Sequence, residues 1–108
     1  VEGAFQLLTR DEKPTAIFAC NDEIAAGSLF TAGFMSISVP KQLSIVGFED
    51  SPFSRQALPQ LTTAKQSNEL VAKTATQLLI SLIRKSNTQK SRVFTPELVI
   101  RGSTSTNE

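Results

Sequence analysis

Apolar and polar positions along this chain switch between a helical period and short continuous runs. Val1, Ala4, Phe5 and Leu8 share one helical face. With no cap ahead of Val1, and Val rather than Met in first place, the chain reads as a fragment of a longer protein. Arg10 to Lys13 is a charged turn that Pro14 closes. Ala16 to Cys20 is an uninterrupted apolar run, the pattern of a strand covered on both faces in a parallel sheet, with Cys20 as a small core residue. A second helix is expected from Asp22 to about Ser36. Ile24, Ala25, Ser28, Leu29, Ala32 and Met35 form one apolar stripe on it, and Ala26, Phe30, Gly33 and Phe34 form another on the opposite side. A helix apolar on two sides needs two covers, and a second copy of the protein is the natural candidate for one of them.

Ser44 to Phe48 repeats the buried-strand pattern. Ser51-Pro52 reads as the cap and first residue of a short helix that Pro59 ends. Leu61 to Lys65 is a more polar strand, suited to an edge or a crossover. Ser67 caps a long helix reaching about Lys85, with Val71, Ala75, Leu78, Leu79 and Leu82 as its stripe and Lys73, Gln77, Arg84 and Lys85 toward water. A polar turn over Ser86 to Lys90 follows, then β-type runs over Arg92–Thr95 and Glu97–Arg101, parted by Pro96. From Ser103 onward the composition reads as a disordered tail. Strands alternating with helices predict an α/β fold, a parallel sheet flanked by helices.

Both predicted buried strands run straight into polar pairs, Asn21-Asp22 and Glu49-Asp50. Asn21 or Asp22 can simply cap the helix that follows. Ligands in open α/β sheets, however, bind outside the carboxyl ends of the strands, and two such pairs at one edge make that edge a candidate site.

Composition narrows the chemistry. Eleven Lys and Arg against ten Asp and Glu leave a net charge of +1, with no basic stripe for a nucleic acid. The absence of His removes His-based catalysis and His metal sites, and the single Cys20 cannot form an internal disulfide. An enzyme built on Asp22, Glu49 and Asp50 would need a paired base, nucleophile, metal set or phosphate loop, and none is in the sequence. A non-enzymatic role is expected, with no catalytic residue, cofactor or metal. No apolar run nears the ~20 residues of a membrane span, so no membrane partner is expected.

Four segments, taken in order, are similar to those of one family: Pro14-Thr-Ala-Ile-Phe-Ala-Cys-Asn-Asp-Glu-Ile-Ala-Ala-Gly27, Val39-Pro-Lys-Gln-Leu-Ser-Ile-Val-Gly-Phe-Glu-Asp50, Pro59-Gln-Leu-Thr-Thr63 and Pro96-Glu-Leu-Val-Ile-Arg-Gly-Ser-Thr104. Together they resemble the carboxyl-terminal part of the effector-binding domain of LacI/GalR-family transcriptional regulators. The resemblance implies a partial periplasmic-binding-protein-like I fold over residues 1–102, with a tail over 103–108. In this family two subdomains close around a small molecule, usually a sugar or a purine. Residues 66–90 would pack on an amino-terminal subdomain outside this chain, and a helix-turn-helix, also outside it, would bind operator DNA. A cytoplasmic homodimer is implied. The alternative is a periplasmic sugar-binding component of a transporter, against which the Glu97–Thr104 ending is typical of the repressors.

The resemblance also assigns residues. Asn21 matches a position that hydrogen-bonds effector hydroxyls. Glu49 stands where the family usually has Asp, a carboxylate longer by one methylene. Gln66 and Asn68 match positions near the pocket. Glu23–Phe34 and Ser51–Leu58, with Ala26, Phe30, Phe34 and Phe53, match the subunit interface.

Overall fold

In the computed structural model, residues 1–85 and 91–106 are described, so the expected turn over Ser86–Lys90 lies outside the described residues. The elements are α1 (Glu2–Leu8), β1 (Ala16–Phe18), α2 (Asp22–Phe34), β2 (Ser44–Phe48), α3 (Pro52–Gln56), β3 (Thr62–Lys65), α4 (Asn68–Ile83) and β4 (Glu97–Val99). They fall into two compact units, one of residues 1–65 with 97–108 and one of residues 66–96.

The first unit holds the whole four-stranded sheet, in the order β1-β2-β3-β4. β1, β2 and β3 pair in parallel, while β4 returns antiparallel to β3, so the sheet is mixed rather than purely parallel. α2 packs on β2, and α1 and α3 pack on α2. Along β2, Ile45 and Gly47 are buried, while Ser44, Val46 and Phe48 on the other face are only partly covered. The core joins Leu8, Ala19, Ala25, Ala32, Leu43, Ile45 and Leu61. The small Ala25 and Ala32 bring α2 close to the sheet, and both are fully buried.

Several expectations are corrected. β1 is not covered on both faces: it ends at Phe18, whose side chain is 72% exposed, and Cys20 is exposed instead of in the core. β3 is neither an edge nor a crossover strand but an interior one, with Thr62 and Thr63 buried. Their hydroxyls are satisfied by distant residues. Thr62 Oγ1 meets Thr104 Oγ1 at 2.7 Å and accepts from the Arg101 N–H at 2.9 Å, and Thr63 Oγ1 donates to Asp22 Oδ1 at 2.7 Å. The run Arg92–Thr95 forms no strand. The tail is tied down as far as it is described. Ser103 is fully buried, its hydroxyl donating to Ile45 O and accepting from the Thr62 N–H, while Ser105 Oγ donates to Pro40 O at 3.1 Å. A short polar run looks disordered until its partners, more than forty residues earlier, are known.

The second unit is built on α4. Ser67 caps it, its hydroxyl accepting from the Leu70 N–H at 3.2 Å. Val71, Thr74, Ala75 and Leu78 line a groove together with Gln66, Arg92, Val93 and Phe94, and the Arg92 guanidinium lies 5.5 Å from the Phe94 ring centre. Leu79, Leu82 and Ile83 are exposed.

Asp22 fixes the carboxyl edge of the sheet. It is fully buried in the first turn of α2, where a carboxylate suits the positive end of the helix dipole. Its Oδ1 accepts the Thr63 hydroxyl of β3, and its Oδ2 accepts the Ser51 N–H at 2.6 Å just after β2. One carboxylate thus joins α2, β3 and the β2–α3 turn. It can sit there only because residue 47 has no side chain: a Cβ on Gly47 would overlap Asp22 Oδ1 and stand 3.3 Å from the Ala25 Cβ. Gly47→Ala is therefore expected to destabilise the protein by about 1–3 kcal/mol, the usual cost of overfilling a packed site. Thermal melting of the intact protein checks this, and an unchanged midpoint would show that α2 can shift away from β2 freely.

Candidate functional site

β1 and β2 leave the sheet side by side. Phe18 is paired with Val46, and the Ala19 N–H donates to Val46 O at 2.8 Å. Asn21 and Glu49 each lie three residues beyond that pair, so both follow neighbouring parallel strands at the carboxyl edge. Asn21 is the N-cap of α2: its Oδ1 accepts the Ile24 N–H at 2.8 Å. The capping function expected for this pair thus falls to Asn21, and Asp22 has the buried role described above. Capping uses the side-chain oxygen of Asn21, and an amide also carries two N–H donors. Asn21 is half-buried and Glu49 is exposed.

The turn after β2 is unusual. Glu49 has φ 116° and Asp50 φ 58°, two successive non-glycine residues in the left-handed half of backbone space. The Glu49 N–H donates to Ala64 O at 2.7 Å, and the Asp50 N–H points at Thr63 Oγ1 at 3.4 Å. The Asp50 carboxylate turns inward, away from the expected site role. Its Oδ1 accepts from Arg101 Nη2 at 2.7 Å and from Ser54 Oγ at 3.1 Å, and Arg55 Nη1 stands 3.2 Å away. Burial pushes the Asp50 carboxyl up, but the hydrogen bonds from Arg101 and Ser54 and the charges of Arg101 and Arg55 outweigh burial and hold it below the ordinary 3.8. Sequence reasoning did not foresee the pairing with Arg101, fifty-one residues away; a lone Arg beside a β-type run carries no local sign of its partner.

Gln66 and Asn68 belong to the second unit. Gln66 is half-buried ahead of α4, and Asn68 is exposed as the first residue of that helix, just after its Ser67 cap. Among the described residues, no group of His, Cys, Asp or Glu is arranged to hold a metal ion.

A second feature of the first unit is apolar. Phe30 is 68% and Phe34 78% exposed on α2, and Phe53 of α3 is also exposed. Ala26, Leu29, Phe30, Gly33 and Phe34 line a shallow groove with Ala57 and Leu58. The four-residue repeat of Ala26, Phe30 and Phe34 makes one ridge, the second stripe read in the sequence.

Chemically, the carboxyl edge offers a carboxylate and a carboxamide, a pair that can accept from and donate to vicinal hydroxyls.

Comparison with known proteins places this geometry in a family. Residues 2–104 match the periplasmic binding protein-like domain. The chain is 38% identical over 117 residues to the HTH-type transcriptional repressor PurR of Haemophilus influenzae strain PittEE, a match that covers 95% of this chain and 35% of that protein. The chain thus spans about a third of the length of this curated relative. It superposes with a TM-score of 0.88 on the Lac repressor dimer bound to operator and the anti-inducer ONPF, at 28% identity over 95% of this chain and 36% of that one. A LacI family transcriptional regulator from Arthrobacter sp. FB24, in complex with lactose, matches with a TM-score of 0.82 and 30% identity, over 96% of this chain and 40% of that one. These likenesses show that the chain belongs to the periplasmic binding protein-like domain family, among the effector-binding domains of the LacI/GalR regulators.

Proposed function

We propose that the chain is the effector-binding and dimerisation part of a transcription regulator that senses a small sugar-like molecule and so controls binding to operator DNA. The observation that carries this reading is that Asn21 and Glu49 follow neighbouring parallel strands, β1 and β2, at the carboxyl edge of the sheet. In this reading the two side chains hydrogen-bond the hydroxyls of the effector. Residues 66–90, with the exposed Leu79, Leu82 and Ile83, pack on an amino-terminal subdomain, and DNA is bound by a helix-turn-helix outside this chain. The protein then acts in the cytoplasm, without catalysis. The lactose complex of the Arthrobacter regulator supports a sugar-like effector, and the PurR likeness supports a regulator over a transport protein.

The effector test uses the intact protein and lactose or cellobiose as probes. Glu49→Ala is expected to weaken binding by about 1.5–3 kcal/mol, roughly 10- to 150-fold, the range for a lost charge-assisted hydrogen bond, and Asn21→Ala, which removes a neutral amide, by about 0.5–1.5 kcal/mol, roughly 2- to 13-fold. Calorimetry is the measurement. Unchanged affinity in both variants, for a sugar that binds the wild type, would remove the pair from the site.

Dimerisation is assigned to the ridge of Ala26, Phe30 and Phe34 together with Phe53. Exposed aromatic side chains beside an uncharged groove form a patch that favours a partner over water, and a two-fold contact places the ridge against its own copy. Phe30→Glu would then bring two unpaired like charges close to one axis, at a cost of several kcal/mol. The variant is expected to sediment as a monomer with native circular dichroism. A dimer as tight as wild type would put the interface elsewhere.

A further inference from the structure

The Glu49-Asp50 turn is strained, and the strain is held from outside it. A glycine at position 49 would adopt the φ of 116° at no steric cost, whereas a glutamate does so only where its surroundings over-determine the backbone. The chain carries Glu there, exposed, at the edge where β1 and β2 open. The over-determining contacts converge on the next residue. Asp50 is 10% exposed and its main partner Arg101 16%. Arg101 is itself anchored at the start of β3 and on α3: Nη1 donates to Leu61 O at 3.0 Å and to Ser54 Oγ at 3.1 Å, and its backbone N–H donates to Thr62 Oγ1 at 2.9 Å. Arg55 Nη1 donates to Asp50 O at 2.9 Å, and the Ser51 N–H is tied to Asp22. The turn is thus fixed behind Glu49 by side chains from β3, β4's trailing end, α2 and α3, while the Glu49 side chain itself stays toward solvent.

We propose that Asp50 and Arg101 are positioning residues: their ion pair holds the backbone of Glu49 in its left-handed conformation and so sets where the Glu49 carboxylate stands at the ligand edge. The purpose assigned to the device rests on the reading of Glu49 as an effector contact, but the device itself can be tested without a ligand. A salt bridge that merely stabilised the fold would loosen the sheet as a whole when broken. A positioning pair loosens the turn alone, and a residue that needs no holding relieves the defect.

The experiment is amide hydrogen exchange on the intact protein, comparing wild type, Asp50→Asn, Arg101→Met, and each combined with Glu49→Gly. Asp50→Asn keeps the shape of the side chain and covers the case in which Arg101→Met fails to fold. Expected in either single variant is exchange about tenfold faster at the Glu49 and Ser51 amides, as a charge-assisted contact is lost, with the Ile45 amide at its wild-type rate. Expected on adding Glu49→Gly is a return of the Ser51 rate toward wild type. Wild-type protection in both single variants, loosening that reaches Ile45 equally, or no rescue by glycine would each overturn the proposal. A parallel lactose titration of Glu49→Ala separates the two claims: if Glu49→Ala binds like wild type while the exchange pattern is as expected, the device stands and its assignment to an effector falls.

Discussion

A single buried carboxylate, that of Asp22, organises the edge on which the function is placed. With no counter-charge in contact among the described residues, it is satisfied by one hydroxyl and one backbone N–H, from Thr63 and Ser51, and by its place in the first turn of α2. Gly47 leaves the room it needs. Because Asn21 is the N-cap of α2, fixing Asp22 also fixes Asn21. Because the Ser51 N–H is bound, the far side of the Glu49 turn is fixed as well. The two candidate ligand groups therefore share one buried anchor.

The polar network and the apolar ridge lie on the same two helices. α2 is capped by Asn21 and carries Phe30 and Phe34 toward its end, and α3 begins at the turn held by Asp22 and carries Phe53. A change at the carboxyl edge thus has short, rigid elements through which to reach the face assigned to the partner subunit. Coupling of this kind requires two arrangements of those elements with different affinities for the effector, since a ligand shifts an equilibrium only by its differential binding.

What could be read from the sequence was what is local. The run Ser44–Phe48 ending in Glu49-Asp50, the Ser67 cap of α4, and the second apolar stripe of α2 each announce themselves within a few residues. The resemblance to the LacI/GalR regulators rested on such local runs. What could not be read depends on distant partners. The hydroxyls of Thr62 and Thr63 made β3 look peripheral, although Arg101, Thr104 and Asp22 satisfy them in the interior of the sheet. Ser103 looked like part of a tail and is a buried tie between β2 and β3. The apolar run to Cys20 suggested a strand covered on both faces, but in this chain β1 is an outer strand with Phe18 uncovered. Asp50 was grouped with Glu49 by sequence and is separated from it by the backbone twist at positive φ, which turns one carboxylate inward and leaves the other outside.

The carboxyl edge of β1 and β2 is proposed to hold a small hydroxyl-bearing molecule. The most direct measurement is a crystal structure of the intact protein grown with a sugar that raises its melting temperature. Ligand hydroxyls are expected within hydrogen-bonding distance of the Glu49 carboxylate and the Asn21 amide, with the Asp22 and Asp50 contacts intact. A sugar bound elsewhere, with Asn21 and Glu49 left to solvent, would contradict it.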